Sequence, residues 1–158
     1  MRIALPDHTK EPVDSMTADF LDAHHRHWED AELLFSSGRL ANADHLYGVA
    51  AECGLKRLMH AFGMTLTPDG GPQNKSDRVH VMEANRSGNP WDRYEAYRSG
   101  HHQGAHYGLP APSPFLDWAV SQRYAHQRDI DASRVKPHRT GAAIVHTLVK
   151  KAMVEGLL

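Results

Sequence analysis

Along the first third of the chain, apolar residues recur at steps of three and four, the spacing of one helix face. They do not fall at the alternate positions that a half-buried strand requires. The stripe Phe20, Ala23, His27, Ala31, Leu34 and Phe35 predicts a helix from about Thr17 to Ser37, with Gly38 as its stop. Ala43, Leu46, Tyr47, Ala50, Gly54, Leu58, Ala61 and Phe62 keep the helical step from Leu40 to Phe62, and Gly63 closes that second helix. Its middle carries the small residues Ala50, Ala51, Cys53 and Gly54, which let a neighbouring helix approach closely and predict a central position.

The rest of the pattern is more broken. Residues 63–77 are rich in glycine, proline and short polar side chains, so they read as a loop. Ser76 or Asp77 is placed to cap a short helix from Arg78 to about Arg86, and Asn89-Pro90 to start another from Trp91 to about Arg98. Three glycines and Pro110 exclude a long helix over residues 99–110. Ser113-Pro114 opens a further helical piece with Phe115, Leu116, Trp118 and Ala119, and a last helix is predicted from about Pro137 to Gly156 on Ile144, Val145, Leu148, Ala152 and Met153. Residues 1–14 hold two prolines and no period, and read as an extended arm ahead of one domain over 15–158. The expected fold is all-α: a single-domain antiparallel helical bundle of four to five main helices, with short irregular helices and a long Gly/Pro loop.

Composition narrows the function classes. The 158 residues are 41% hydrophobic and 23% charged, as in globular proteins, and no run is long and apolar enough for a membrane span. The N-terminus lacks the apolar stretch of a signal peptide, and a lone Cys53 forms no intrachain disulfide, so the cytoplasm is the expected compartment. Lys plus Arg is 18 against 19 for Asp plus Glu, so anion binding requires a local patch. Thirteen residues are His, which makes imidazole chemistry the main question.

The segment Ala43-Asp44-His45-Leu46-Tyr47-Gly48-Val49-Ala50-Ala51-Glu52-Cys53-Gly54-Leu55-Lys56-Arg57-Leu58-Met59 resembles the corresponding helix of HEPN-domain proteins, where a small-residue stretch precedes a Glu and a Leu-Lys pair. The order of parts over residues 17–86 is also similar, including a short helix with Val79-His80-Val81-Met82. Trp118 and Gln122-Arg123-Tyr124 ahead of a final helix resemble some small bacterial members. The resemblance implies an all-α bundle, commonly a homodimer, in prokaryotic toxin–antitoxin, defence or stress systems. It also implies a partner protein such as a nucleotidyltransferase or antitoxin, and in many members metal-independent ribonuclease activity without a cofactor.

Those ribonucleases carry Arg, a polar residue, and His after four to six intervening residues. Arg2 with His8, Arg39 with His45 and Arg139 with His146 match the spacing, but roughly three matches are expected by chance in so His-rich a chain. Arg139 and His146 alone lie in the final helix, and they are the alternative catalytic pair. The densest chemistry is a loop with Arg98, His102 and His106 as candidate catalytic residues and His101 and Tyr107 as candidate phosphate-binding ones. Imidazole bases and a cation suit metal-free RNA cleavage. His101, His102 and His106 are also an alternative metal set, while His24, His25 and His27 read as a solvated helix face. Arg123 and Tyr124, within Arg123-Tyr124-Ala125-His126-Gln127-Arg128, pair cations with a ring and can flank a phosphate or stack on a base. The competing reading bridges Arg123 to Asp117 or Asp129. The leading expectation is a binding or interaction module for RNA or a nucleotide, with the ribonuclease and the metal-binding bundle as alternatives.

Overall fold

The computed structural model describes residues 16–81 and 88–158, so the predicted arm over 1–14 lies outside the described residues. Among the described residues there are four α-helices: α1 (Phe20–Ser36), α2 (Leu40–Ala61), α3 (Pro90–Ser99) and α4 (Ala132–Val154). Among the described residues there is no strand, only an isolated bridge between Leu66 and Pro72. The all-α bundle is therefore present as the periodicity predicts.

Local chemistry sets the ends. The Asp19 carboxylate accepts the amides of Leu21 and Asp22, Asn89 caps α3 ahead of Pro90, and Asp131 caps α4. Gly38, at φ +74°, ends α1 and lets Arg39 donate back to the Leu34 carbonyl. The chain then reverses into α2, which packs against α1, α3 and α4.

The small residues of α2 act as anticipated. A Cβ on Gly48 would lie 2.0 Å from the Trp118 ring, and one on Gly54 would lie 2.6 Å from Val145 and 2.7 Å from His24 Nδ1. Rings therefore rest directly on the α2 backbone. Tyr47, Ala51, Leu55 and Leu58 of α2 share the core with Ala31 of α1, Tyr94 of α3, Val145 and Val149 of α4, and the loop residues Phe115 and Trp118.

Four expectations are corrected. On α1 the fully buried positions are His24 and Ala31, whereas Phe20, Ala23 and His27 are only half-buried. The inward line includes a histidine that the pattern scores as polar. The predicted helix at Arg78 does not start there: residues 75–77 form a single 3-10 turn and residues 79–81 are not helical, while 82–86 lie outside the described residues. Buried Asp77 accepts from Arg93 Nε and the Tyr97 hydroxyl, so its carboxylate is taken by α3 instead of capping. Residues 114–117 form a turn, and the nearby helical geometry is a 3-10 segment, Val120–Tyr124. Finally, α4 starts at Ala132 rather than Pro137. Asp131 supplies the cap, and the proline sacrifices one early backbone bond inside a helix held by Val135, Ala142, Val145 and Val149.

Because the Trp118 ring fills the space above Gly48, Gly48→Ala is expected to destabilise the protein by about 1–3 kcal/mol through overpacking. Chemical denaturation reads this directly; an unchanged midpoint would show that the ring does not press on α2.

Candidate functional site

A buried charge cluster ties the segment before α4 to the start of α2. His138, fully buried on α4, places Nδ1 2.6 Å from Asp44 Oδ1 of α2 and Nε2 2.7 Å from Asp117 Oδ1. Carboxylate oxygens accept, so both ring nitrogens donate and the ring is an imidazolium. Burial pulls His138 down, but hydrogen bonds and charge from Asp44 and Asp117 outweigh it and hold the group above its ordinary value. Burial likewise pushes Asp117 up, and His138 with Arg134 reverses the sign. The other Asp44 oxygen accepts from Gln122 Nε2 at 2.6 Å, and its backbone carbonyl from Trp118 Nε1 at 2.9 Å.

Anchored by Gln122, the 120–130 segment faces the N-terminus of α2 across a groove of about 690 Å³. Arg39, Asn42, Gln122, Arg123, His126 and Arg128 contribute to its polar lining, and no carboxylate among the described residues lines it. Among the described residues no side chain caps the α2 N-terminus, so there the first-turn amides of Leu40, Ala41 and Asn42 find no side-chain acceptor. Arg123 stacks over Tyr124 at 4.8 Å, and that ring is 79% exposed. His126 Nδ1 accepts the Arg128 amide, which leaves its proton on Nε2. Among the described residues neither Arg39 nor Arg123 has a carboxylate partner, and Arg128 reaches only Asp129, at 4.0 Å. The bridge from Arg123 to Asp117 or Asp129 is not made; Asp117 goes to His138 and Arg134.

The α1–α4 seam gathers a second set. Arg139 Nε and Nη2 donate to the two Glu32 oxygens at 2.8 and 2.9 Å, and Tyr47 donates to the same carboxylate at 2.6 Å. The Arg139 hydrogen bonds hold Glu32 below the carboxylate range, and Glu32 in turn raises Arg139; burial, then Glu32, raises Tyr47. Two turns away on the same helices, His24 Nε2 lies 3.0 Å from His146 Nδ1, and Trp28 stacks on His146 at 4.8 Å. His24 Nδ1 donates to the Ala50 carbonyl at 2.8 Å. Burial lowers His24 to about 4 despite that bond, and burial with the His25 and Lys150 charges lowers His146. The solvated-face reading of residues 24–27 is thus corrected: His24 is fully buried. Both members of the alternative pair, Arg139 and His146, lie on this seam, each with its own α1 partner.

The candidate residues of the 98–107 segment are held by different partners. Arg98 donates to both Glu95 oxygens and to the Gly104 carbonyl, tying the loop to α3. Buried Tyr107 donates to Glu155, and burial, then that bond, pushes it up to about 12. His101 packs on Phe62 and His102, while His102 and His106 are exposed. Among the described residues, the histidines whose donor atoms converge within 4.8 Å are His24, His25 and His146; His101 and His102 stack on each other at 4.4 Å, and His106 does not complete a three-histidine set with them. Cys53 offers no thiolate, since burial, then Glu52, pushes it up to about 12.

Sequence reasoning marked Arg123, Tyr124, His126 and Arg128 from their clustering, and missed Arg39 as their partner. It also missed Asp44, His138 and the inward His24; nothing local signals a pair separated by 94 positions. No protein-family model, curated protein or solved structure matches the chain.

Removing His138 leaves Asp44 as a buried unpaired charge, so His138→Ala is expected to cost about 3–5 kcal/mol at pH 6. Because the folded pKa of His138 is raised, its contribution is fully present below the ordinary ~6.5 and fades as pH rises through the folded value. Since Asp117 is lowered, its share is lost only as pH falls below its ordinary ~3.9. The wild-type minus variant stability, from urea titrations across pH, should shrink at both ends; a difference that grows above pH 8 would contradict the imidazolium assignment.

Proposed function

We propose that this chain is a HEPN-like helical binding module that takes the phosphate backbone of single-stranded RNA in the groove at the α2 N-terminus. One observation carries the reading: among the described residues, Arg39, Arg123 and Arg128 converge on one groove with no carboxylate in its lining, in a chain whose net charge is −1. Phosphate contacts of this kind supply most of the sequence-independent affinity for nucleic acid. Uncapped first-turn amides add donors where an anion is favoured. Tyr124, exposed beneath the Arg123 guanidinium, offers a stacking platform for a base. The resemblance to HEPN proteins supports RNA as the polyanion.

The same criterion ranks the catalytic alternative second. In both candidate ribonuclease sets the arginine is held by a carboxylate, Arg98 by Glu95 and Arg139 by Glu32. A guanidinium so engaged must break a bidentate pair before it can hold a phosphorane.

Fluorescence anisotropy with a labelled single-stranded RNA tests the reading. Three phosphate contacts predict a slope of about −2 for log affinity against log salt, hence roughly 20-fold weaker binding at 200 than at 50 mM. Arg39→Ala, Arg123→Ala and Arg128→Ala should each reduce the slope by about 0.7. Absence of binding at low salt, or equal binding by the triple variant, overturns the proposal. RNA cleavage in chelator that vanishes in His146→Ala or His102→Ala would replace it with the ribonuclease.

A further inference from the structure

The α1–α4 seam carries chemistry that the groove does not use. We propose that His24, His25 and His146 form a binding site for one borderline divalent metal ion of the zinc, cobalt, nickel or copper class, with a fourth position open to water.

The distances suit such an ion. One donor nitrogen from each histidine lies within 4.8 Å of the other two. Bonds of 2.0–2.1 Å at tetrahedral angles place ligand nitrogens about 3.3–3.4 Å apart. The His24 Nε2 to His146 Nδ1 separation of 3.0 Å therefore opens by only a few tenths of an ångström, while His25, half-buried, swings inward by side-chain rotation. The hydrogen bond between His24 and His146 puts a hydrogen on the line that the ion would take.

Tautomers settle how that exchange proceeds. The Ala50 carbonyl can only accept, so the His24 proton is on Nδ1 and the Nε2 lone pair faces His146. His146 Nδ1 donates to that lone pair. Moving the His146 proton to its own Nε2 turns Nδ1 into a second free lone pair, with no net loss of protons. A carbonyl on the far nitrogen of a histidine is the support that metal-binding imidazoles use to fix orientation.

The pocket is built around these rings. A Cβ at position 54 would stand 2.7 Å from His24 Nδ1, so Gly54 leaves room for the imidazole against the α2 backbone. Trp28 stacks on His146 at an interplanar angle of 15° and fixes its plane. His25 meets His146 edge-on at 5.8 Å, closing the third side. Three imidazole nitrogens without an oxygen donor select borderline ions over calcium or magnesium. Glu32, the carboxylate acting on His146 from along the seam, is engaged by Arg139 and Tyr47 and is not assigned as a ligand.

The test uses the full chain without a polyhistidine tag, stripped with chelator and titrated calorimetrically with zinc chloride. Saturable binding of one ion per chain is expected, with a Kd in the micromolar range or tighter. His25→Ala and His146→Gln should each weaken it by about tenfold or more. A variant with both His102→Ala and His106→Ala should bind as the wild type does. Wild-type imidazole NMR supplies a readout independent of any variant's folding: zinc should shift the His24, His25 and His146 resonances out of the 13. Failure to saturate at one ion, undiminished binding by His25→Ala, or shifts centred on His101, His102 and His106 would overturn the site. None of these outcomes depends on RNA binding in the groove.

Discussion

Taking His138 and Asp44 out of water costs several kcal/mol for each charge, and their mutual hydrogen bond, with Asp117 on the other ring nitrogen and Gln122 on the other Asp44 oxygen, offsets it. The geometry is therefore demanding: α2, the 114–117 turn and α4 must meet with both nitrogens satisfied. Once they do, Asp44 has a second oxygen and a carbonyl to spare, and these hold Gln122 and Trp118. The segment that carries Arg123 is thereby fastened opposite the α2 N-terminus. A buried imidazolium in the core thus determines where a cationic groove stands on the surface.

Close backbone approach makes that fastening possible. Trp118 can reach the Asp44 carbonyl only because position 48 has no side chain, and His24 can reach the Ala50 carbonyl because position 54 has none. Each glycine on α2 admits one ring, and each ring donates to a backbone carbonyl of that helix. Packing and hydrogen bonding are satisfied by the same contact.

Charge is sorted by partner rather than by amount. Arg93, Arg98, Arg134 and Arg139 pair with Asp77, Glu95, Asp117 and Glu32, and in doing so tie loops and helices together. Among the described residues the groove arginines lack such close partners, so a chain with almost no net charge still presents a cationic surface there. The histidines divide in the same way. His138 is held charged by two carboxylates, His24 and His146 are kept neutral by burial and neighbouring imidazoles, and His102 and His106 stay in solvent.

The helical period alone established α1, α2 and the all-α class, because burying one face of a long helix leaves a signature in every turn. It also marked the small centre of α2 and the cationic run at residues 123–128, since those features are contiguous in the chain. It misplaced the pieces near 78 and 113, where side chains such as Asp77 serve distant partners instead of local caps. Which histidine faces inward, which arginine keeps a carboxylate, and which nitrogens meet depend on contacts between residues up to 122 positions apart. A sequence records local spacing and composition; the protonation state and partner of a buried group are set by the surfaces that folding brings around it.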